Sequence, residues 1–206
     1  MFHFSKTYLL LGTLLLGVAF HASAQTNADN TPQVVVSVYN DAGVSANALA
    51  EAEEKAARIF ARAGVRITWT NCSDCDRFEW PTSLSVRIVP RSPRSTQEIF
   101  GMAFLSAEGT GCYTDVFYER AEKLQSAWNV NLSDTLGAVM AHEIGHLLLG
   151  SNSHTPAGIM RARWESQELN RMARGNLLFT ESQSDQMRAK LSATGSTITV
   201  AARSTF

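Results

Sequence analysis

Apolar residues recur along this chain at two spacings, one typical of strands and one typical of helices. Short β-branched or alternating segments predict five strands, over residues 34–39, 65–70, 84–89, 100–105 and 112–118. Apolar residues three and four positions apart predict five helices, over residues 48–63, 119–128, 136–149, 166–174 and 180–191. Most of the strands therefore precede most of the helices.

Polar residues and glycines mark the ends of the later helices. Ser133 or Asp134 is expected to cap the 136–149 helix, and Gly150 to end it. Thr180 followed by Gln183 is typical of a capping box at the start of the last helix. The element order predicts an α+β single domain. We expect a mixed twisted sheet backed by a long helix, with the 136–149 helix beneath the sheet.

The first 24 residues are predicted to be a secretory signal peptide. Lys6 gives a positive start, residues 8–20 form an apolar core too short to span a membrane comfortably, and Ala22-Ser23-Ala24 is an A-x-A cleavage site. We therefore expect cleavage after Ala24, a secreted or periplasmic protein, and no stable membrane anchor after cleavage.

The remaining chain is expected to form one domain. Residues 25–33 predict a flexible leader, residues 34–191 the folded domain, and residues 192–206 a tail of uncertain order. The formal net charge of −1 gives no support for a nucleic-acid partner or a polybasic membrane patch. We expect a monomer.

Three cysteines remain in the exported chain: Cys72, Cys75 and Cys112. Export implies an oxidising compartment, and the odd number leaves at least one thiol without an intramolecular partner. Cys72 and Cys75 have the C-x-x-C spacing of redox and zinc sites, but no second C-x-x-C accompanies them. The pattern favours a structural disulfide from Cys72 or Cys75 to Cys112.

The predicted 136–149 helix carries the sequence His142-Glu143-Ile144-Gly145-His146. H-E-x-x-H on a helix is the zinc signature of metallopeptidases, because residues four apart project from one helix face and both imidazoles reach one ion. Glu143 follows the first ligand directly, so it can take a proton from water activated at the metal.

A catalytic zinc needs a third protein ligand and one open position. His154 follows the turn at Gly150 and is the first candidate; Glu165 and Glu168 are the alternatives. Of the five histidines in the chain, His3 and His21 lie in the predicted signal peptide. The exported protein would therefore use every histidine it has for this site.

The segment from His142 to Met160, HEIGHLLLGSNSHTPAGIM, resembles the metzincin metallopeptidases. Their pattern is H-E-x-x-H-x-x-G-x-x-H followed by a Met-turn, and this chain has one extra residue before Gly150 and one more before His154. Met160 is the Met-turn candidate. Phe100 to Phe104 resembles the edge strand above the metzincin cleft. The segment through Trp164 also resembles a group of uncharacterised secreted bacterial proteins known only as candidate metallopeptidases.

This resemblance implies a zincin-like fold, Zn²⁺ as cofactor and a secreted metalloendopeptidase that acts on peptides or proteins. The metal would be held by His142, His146 and His154, with Glu143 as general base and an extended peptide antiparallel to the edge strand. Tyr113, Tyr118 and Arg161 are candidates for further stabilisation of the oxyanion. The alternatives are a catalytically inactive zinc-stabilised envelope module for binding or inhibition, and a hydrolase of a non-peptide amide.

Overall fold

The computed structural model describes residues 31–72, 83–93 and 99–203, with side chains as far as residue 193. The predicted signal peptide (residues 1–24) and most of the predicted leader lie outside these residues. The elements, in chain order, are β1 Gln33–Asn40, α1 Ala46–Arg62, β2 Arg66–Asn71, β3 Ser83–Val89, β4 Gly101–Phe104, β5 Tyr113–Phe117, α2 Tyr118–Trp128, α3 Leu132–Leu149, α4 Ser166–Ala173 and α5 Glu181–Arg203.

The five strands form one mixed sheet in the order β2-β1-β3-β5-β4. Strands β2, β1, β3 and β5 are parallel to their neighbours, whereas β4 pairs antiparallel with β5 at the edge of the described sheet. Each strand lies within one or two residues of its predicted position. The predicted mixed sheet and α+β class are confirmed, and the antiparallel strand is the one that resembles the metzincin edge strand.

One face of the sheet carries the core. Val34, Val36 and Val38 of β1 are buried, while Val35 between them is 38% exposed, as expected for side chains that alternate across a strand. Helices α1 and α3 pack against each other, and α3 also contacts β3, β4 and β5. Helix α3, which carries the H-E-x-x-H sequence, therefore lies against the buried face, as predicted. Among the residues that the structure describes, no helix combines the length and apolar character needed to cross a membrane.

The N-terminal cap of α3 differs from the prediction. Asn131, with an extended backbone, is the cap, and its Oδ1 accepts from the Asp134 N–H at 3.1 Å. Ser133 and Asp134 were the wrong choice because both bind α1 instead. The Ser133 hydroxyl donates to Glu51 at 2.9 Å, and Asp134 forms an ion pair with Lys55 at 2.7 Å.

The last helix begins as predicted and ends later than predicted. The Thr180 N–H donates to Gln183 Oε1 at 3.0 Å and the Gln183 N–H donates to Thr180 Oγ1 at 3.3 Å, which completes the capping box. Helix α5 then continues to Arg203 instead of ending near Leu191. The segment beyond Leu191 contains no proline, and its single Gly195 costs a helix only about 1 kcal/mol relative to alanine.

The predicted disulfide to Cys112 is wrong. Cys112 carries a free, half-buried thiol whose pKa burial raises, while Cys72 is disulfide-bonded; Cys75 lies outside the described residues. Cys72 follows β2 and Cys112 precedes β5, so β1 and β3 lie between them. Three strand spacings amount to about 14 Å, roughly twice the largest Cα separation that a disulfide spans.

Candidate metal centre

Three histidines converge at the exposed side of α3. His142 and His146 lie one turn apart on the helix, and His154 lies on the loop that follows it. One nitrogen from each ring lies within 4.8 Å of the other two, and the Nε2 atoms of His142 and His146 are 3.1 Å apart. Two nitrogens at zinc-bonding distances in a tetrahedral site are about 3.3 Å apart. The structure thus brings together the three histidines that the sequence singled out.

Partners behind the rings fix the orientation of both helix histidines. His142 Nδ1 lies 2.7 Å from the Ile159 carbonyl oxygen. Because a carbonyl only accepts, Nδ1 carries the hydrogen and Nε2 presents its lone pair to the site. His146 Nδ1 lies 2.8 Å from Ser153 Oγ, which can accept in the same way. With both Nδ1 atoms protonated, the two Nε2 lone pairs face each other, an arrangement that a cation between them stabilises, so the donor set fits a metal ion.

Burial keeps these imidazoles neutral. Desolvation lowers the pKa of His142 to about 4, against a small upward effect of the Ile159 carbonyl. Desolvation and the neighbouring His142 and His154 lower the pKa of His146 to about 3. Both rings are therefore neutral at pH 7, with one nitrogen free of hydrogen, and can ligate a metal without first losing a proton.

Glu143 lies beside the histidines without joining their cluster. Its side chain belongs to a residue that is only 4% exposed, and it lies under β4: a Cβ on Gly101 would fall 2.6 Å from Glu143 Cγ. Burial raises the pKa of this carboxyl to about 8 in the protein alone. A cation held nearby would lower that pKa again and favour the carboxylate, the form that accepts a proton.

The alternative third ligands, Glu165 and Glu168, are occupied elsewhere. They form the capping box of α4, and Arg161 donates to Glu165 at 3.0 Å and to Glu168 at 2.8 Å. Neither belongs to the metal-capable cluster in the described part of the chain. His154 is therefore the third residue that the geometry supports.

Met160 packs against α3 at Gly145, which lies between the two helix histidines in the sequence. It is fully buried, its carbonyl accepts from the Thr155 N–H at 3.0 Å, and a Cβ on Gly145 would fall 2.7 Å from its sulfur and 2.9 Å from the Phe179 ring. Gly145 thus allows the Met160 thioether to approach the helix backbone between His142 and His146.

Gly145→Ala should destabilise the protein although alanine is the better helix former. The added methyl group must displace Met160 or Phe179, and overpacking of this kind costs about 1–3 kcal/mol, against a propensity gain of about 1 kcal/mol. We expect the free energy of unfolding in urea to fall. A rise of about 1 kcal/mol, the value for helix propensity alone, would show that the contact is not tight.

The histidines open into a cavity of about 220 Å³ that is mostly apolar. Strand β4 lines it, together with Arg161 and Trp164. Trp164 stacks on Phe100 with ring centroids 5.6 Å apart, and its Nε1 donates to the same Ile159 carbonyl that orients His142. The cavity thus brings the three histidines, Glu143 and the edge strand β4 to one site.

The fold places one of the three candidates for oxyanion stabilisation at the cavity and two away from it. Only Arg161 lines the cavity. The Tyr113 hydroxyl donates to Asp115 at 2.5 Å, and Tyr118 is not among the residues that line the cavity. Sequence reasoning missed Ser153 and Trp164, whose partners His146 and Ile159 become neighbours only through the fold of the loop after α3.

Comparison with known proteins bears on the fold. The structure is similar to a zinc-dependent peptidase from Methanocorpusculum labreanum, with a TM-score of 0.53 and 13% identity over 74% of this chain and 99% of that one. The chain has the fold of a zinc-dependent peptidase. An archaemetzincin from Methanopyrus kandleri gives a TM-score of 0.49 at 13% identity, over 78% of this chain and 96% of that one. No protein-family model matches the sequence, and no curated protein matches it.

Proposed function

We propose that this protein is an exported zinc-dependent endopeptidase with Glu143 as its general base. One observation carries the proposal: three neutral histidines converge beside a buried carboxyl, in a cavity bounded by an edge strand. The similar fold of a protein described as a zinc-dependent peptidase supports it. The export part depends on the signal-like sequence of residues 1–24.

His142, His146 and His154 would hold the metal and leave a position open. When bound, zinc polarises a carbonyl and lowers the pKa of water to about 7. His154 is exposed, so the cluster is reachable from the cavity. The Ile159 carbonyl holds His142 in the tautomer that presents Nε2, and the Ser153 hydroxyl would do the same for His146 by accepting from Nδ1.

Glu143 would move the proton. As a carboxylate it accepts a proton from the attacking water and then passes it to the nitrogen of the departing amine, so the C–N bond breaks without forming an amide anion. Its burial under β4 limits access of bulk water to the carboxylate. Arg161, at the cavity wall, is a candidate to stabilise negative charge on the carbonyl oxygen.

The edge of β4 supplies main-chain groups for an extended peptide. The Phe117 N–H donates to the Phe100 carbonyl at 2.8 Å, and hydrogen bonds in an antiparallel pair involve alternate residues. Phe100 and Met102 therefore direct their main-chain groups to β5, while Gly101 and Ala103 direct theirs to the outer edge, beside the cavity. A peptide that adds a strand at this edge would pair with Gly101 and Ala103.

Ala103→Pro should weaken peptide hydrolysis without loss of zinc. Proline removes the Ala103 N–H, which faces the outer edge, and leaves the ladder to β5 intact, a position where sheets accept proline. A peptide carbonyl left unpaired costs about 1–3 kcal/mol, so we expect kcat/KM to fall about 5- to 100-fold. Ala103→Ser, which keeps the N–H, should stay near wild type. Equal activity of both variants would exclude this mode of peptide binding.

The direct test of the function is hydrolysis of a peptide library by the mature protein. Mass spectrometry should show cleavage at internal bonds that stops with a chelator and returns with zinc. Zinc bound at one equivalent with no cleavage of any peptide would contradict the proposal and support an inactive zinc-stabilised binding module. Cleavage confined to non-peptide amides, such as cell-wall cross-links, would support the second alternative.

A further inference from the structure

Gln183 of α5 binds the loop that carries His154. This loop is two residues longer than the metzincin pattern, and within the described part of the chain the His154 ring makes no hydrogen bond of its own. The Gln183 side-chain Nε2 donates to the Ser153 carbonyl at 3.3 Å and to Thr155 Oγ1 at 3.2 Å. Gln183 thus binds the residues on both sides of His154, Ser153 through its backbone carbonyl and Thr155 through its side-chain hydroxyl.

The orientation of the Gln183 amide is fixed by its neighbours. The Thr180 N–H can only donate, so it must face Oε1, at 3.0 Å. The two hydrogens of Nε2 are then directed to Ser153 and Thr155, and each has an acceptor. Thr155 Oγ1 can accept because its own hydrogen is donated to the Ala157 carbonyl at 2.8 Å. Gln183 is buried, with all its hydrogen-bonding groups used.

The same loop also reaches the second ligand. Ser153, immediately before His154, places its hydroxyl 2.8 Å from His146 Nδ1, while its carbonyl accepts from Gln183. The longer loop therefore contributes the third ligand and a partner for the second, and both depend on the backbone that Gln183 binds.

We infer that Gln183 is a positioning residue for the metal: it acts through the backbone of the 153–155 loop to set the places of His154 and Ser153. The inference rests on the proposed zinc site. Gln183 would then act both in the capping box of α5 and as a support for the loop that carries His154. This support explains how that loop brings His154 to the metal in spite of its two extra residues.

Gln183→Glu separates the capping of α5 from the hydrogen bonds to the loop that carries His154. Glutamate serves equally well at this position of a capping box, so the cap to Thr180 is kept, but the two donors to the loop are lost and a carboxylate faces the Ser153 carbonyl. We expect the dissociation constant for zinc, measured by competition with a chromophoric chelator, to rise about 10- to 100-fold, as for loss of other outer partners of metal ligands. The visible spectrum of the Co²⁺-loaded protein should change as well.

Thr180→Ala is the matched control. It removes the hydroxyl of the cap and leaves the Gln183 amide free to bind the loop, so it should lower the melting temperature with zinc affinity and the Co²⁺ spectrum unchanged. Wild-type zinc affinity in Gln183→Glu, or the same loss of affinity in Thr180→Ala, would overturn the inference.

A double-mutant cycle tests whether Gln183 acts through the ligand loop. In the His154→Ala background, Gln183→Glu should weaken zinc binding much less than in wild type, because the main ligand that it positions is gone. Losses that simply add would contradict the inference. All readouts are of metal binding, so a protein that binds zinc but hydrolyses no peptide would refute the proposed function and leave this inference standing.

Discussion

Glu143→Gln is expected to lower kcat on a cleaved peptide by about 10²- to 10⁴-fold, the range for loss of a general base. The amide has the shape of the carboxyl group but cannot take a proton from water. Glu143 lies outside the histidine cluster, so zinc should still bind at one equivalent with unchanged affinity. The measurement is steady-state hydrolysis of one peptide, with zinc content determined on the same sample.

The matched control for this change is Glu165→Gln. Glu165 is an exposed carboxylate that pairs with Arg161 near the same cavity, and glutamine can still accept the capping hydrogen bond of α4. Its kcat should stay near wild type. Full activity of Glu143→Gln, or a similar loss of activity in both variants, would contradict the assignment of Glu143 as general base.

His154→Ala should weaken zinc binding by more than the roughly 10- to 100-fold expected for an outer partner, and abolish hydrolysis at limiting zinc. The ring is one of three donors and makes no hydrogen bond within the described residues, so its loss should cost the fold little. The measurements are the dissociation constant for zinc by chelator competition and the melting temperature without metal.

Glu168→Gln provides the contrast, because Glu168 was the alternative ligand. This buried carboxylate accepts from Arg161 at 2.8 Å and from the Glu165 N–H at 3.1 Å. Its neutralisation should lower the melting temperature and leave zinc affinity within about twofold, since the charge lost is that of an ion pair. If Glu168→Gln weakened zinc binding more than His154→Ala, Glu168 and not His154 would be the third zinc ligand.

Local patterns were enough to predict the elements and the two helix histidines of the metal-capable cluster. The run of β-branched residues in β1 and the helical spacing around His142 and His146 depend on neighbours within one turn or one pleat. The same is true of the capping box at Thr180 and Gln183, whose partners are three residues apart. Such features depend only on residues that are close in the sequence, so they can be predicted before the fold is known.

Features that depend on distant partners were beyond the sequence. The cap of α3 is Asn131 because Ser133 and Asp134 bind residues of α1, which are far away in the chain. The prediction of a disulfide to Cys112 was wrong because it depended on the strand order. That order places two strands between Cys72 and Cys112, and no local sequence pattern indicates it. The contact of Gln183 with the ligand loop likewise joins α5 to a loop before α4.

A crystal structure of the zinc-loaded mature protein, with anomalous data at the zinc edge, tests the central claim most directly. We predict one anomalous peak bound by His142, His146 and His154 at about 2.0–2.1 Å, with a non-protein ligand in the fourth position and Glu143 beside it. A peak with Glu165 or Glu168 as ligand, a fourth protein ligand in the open position, or no peak at these histidines would contradict it.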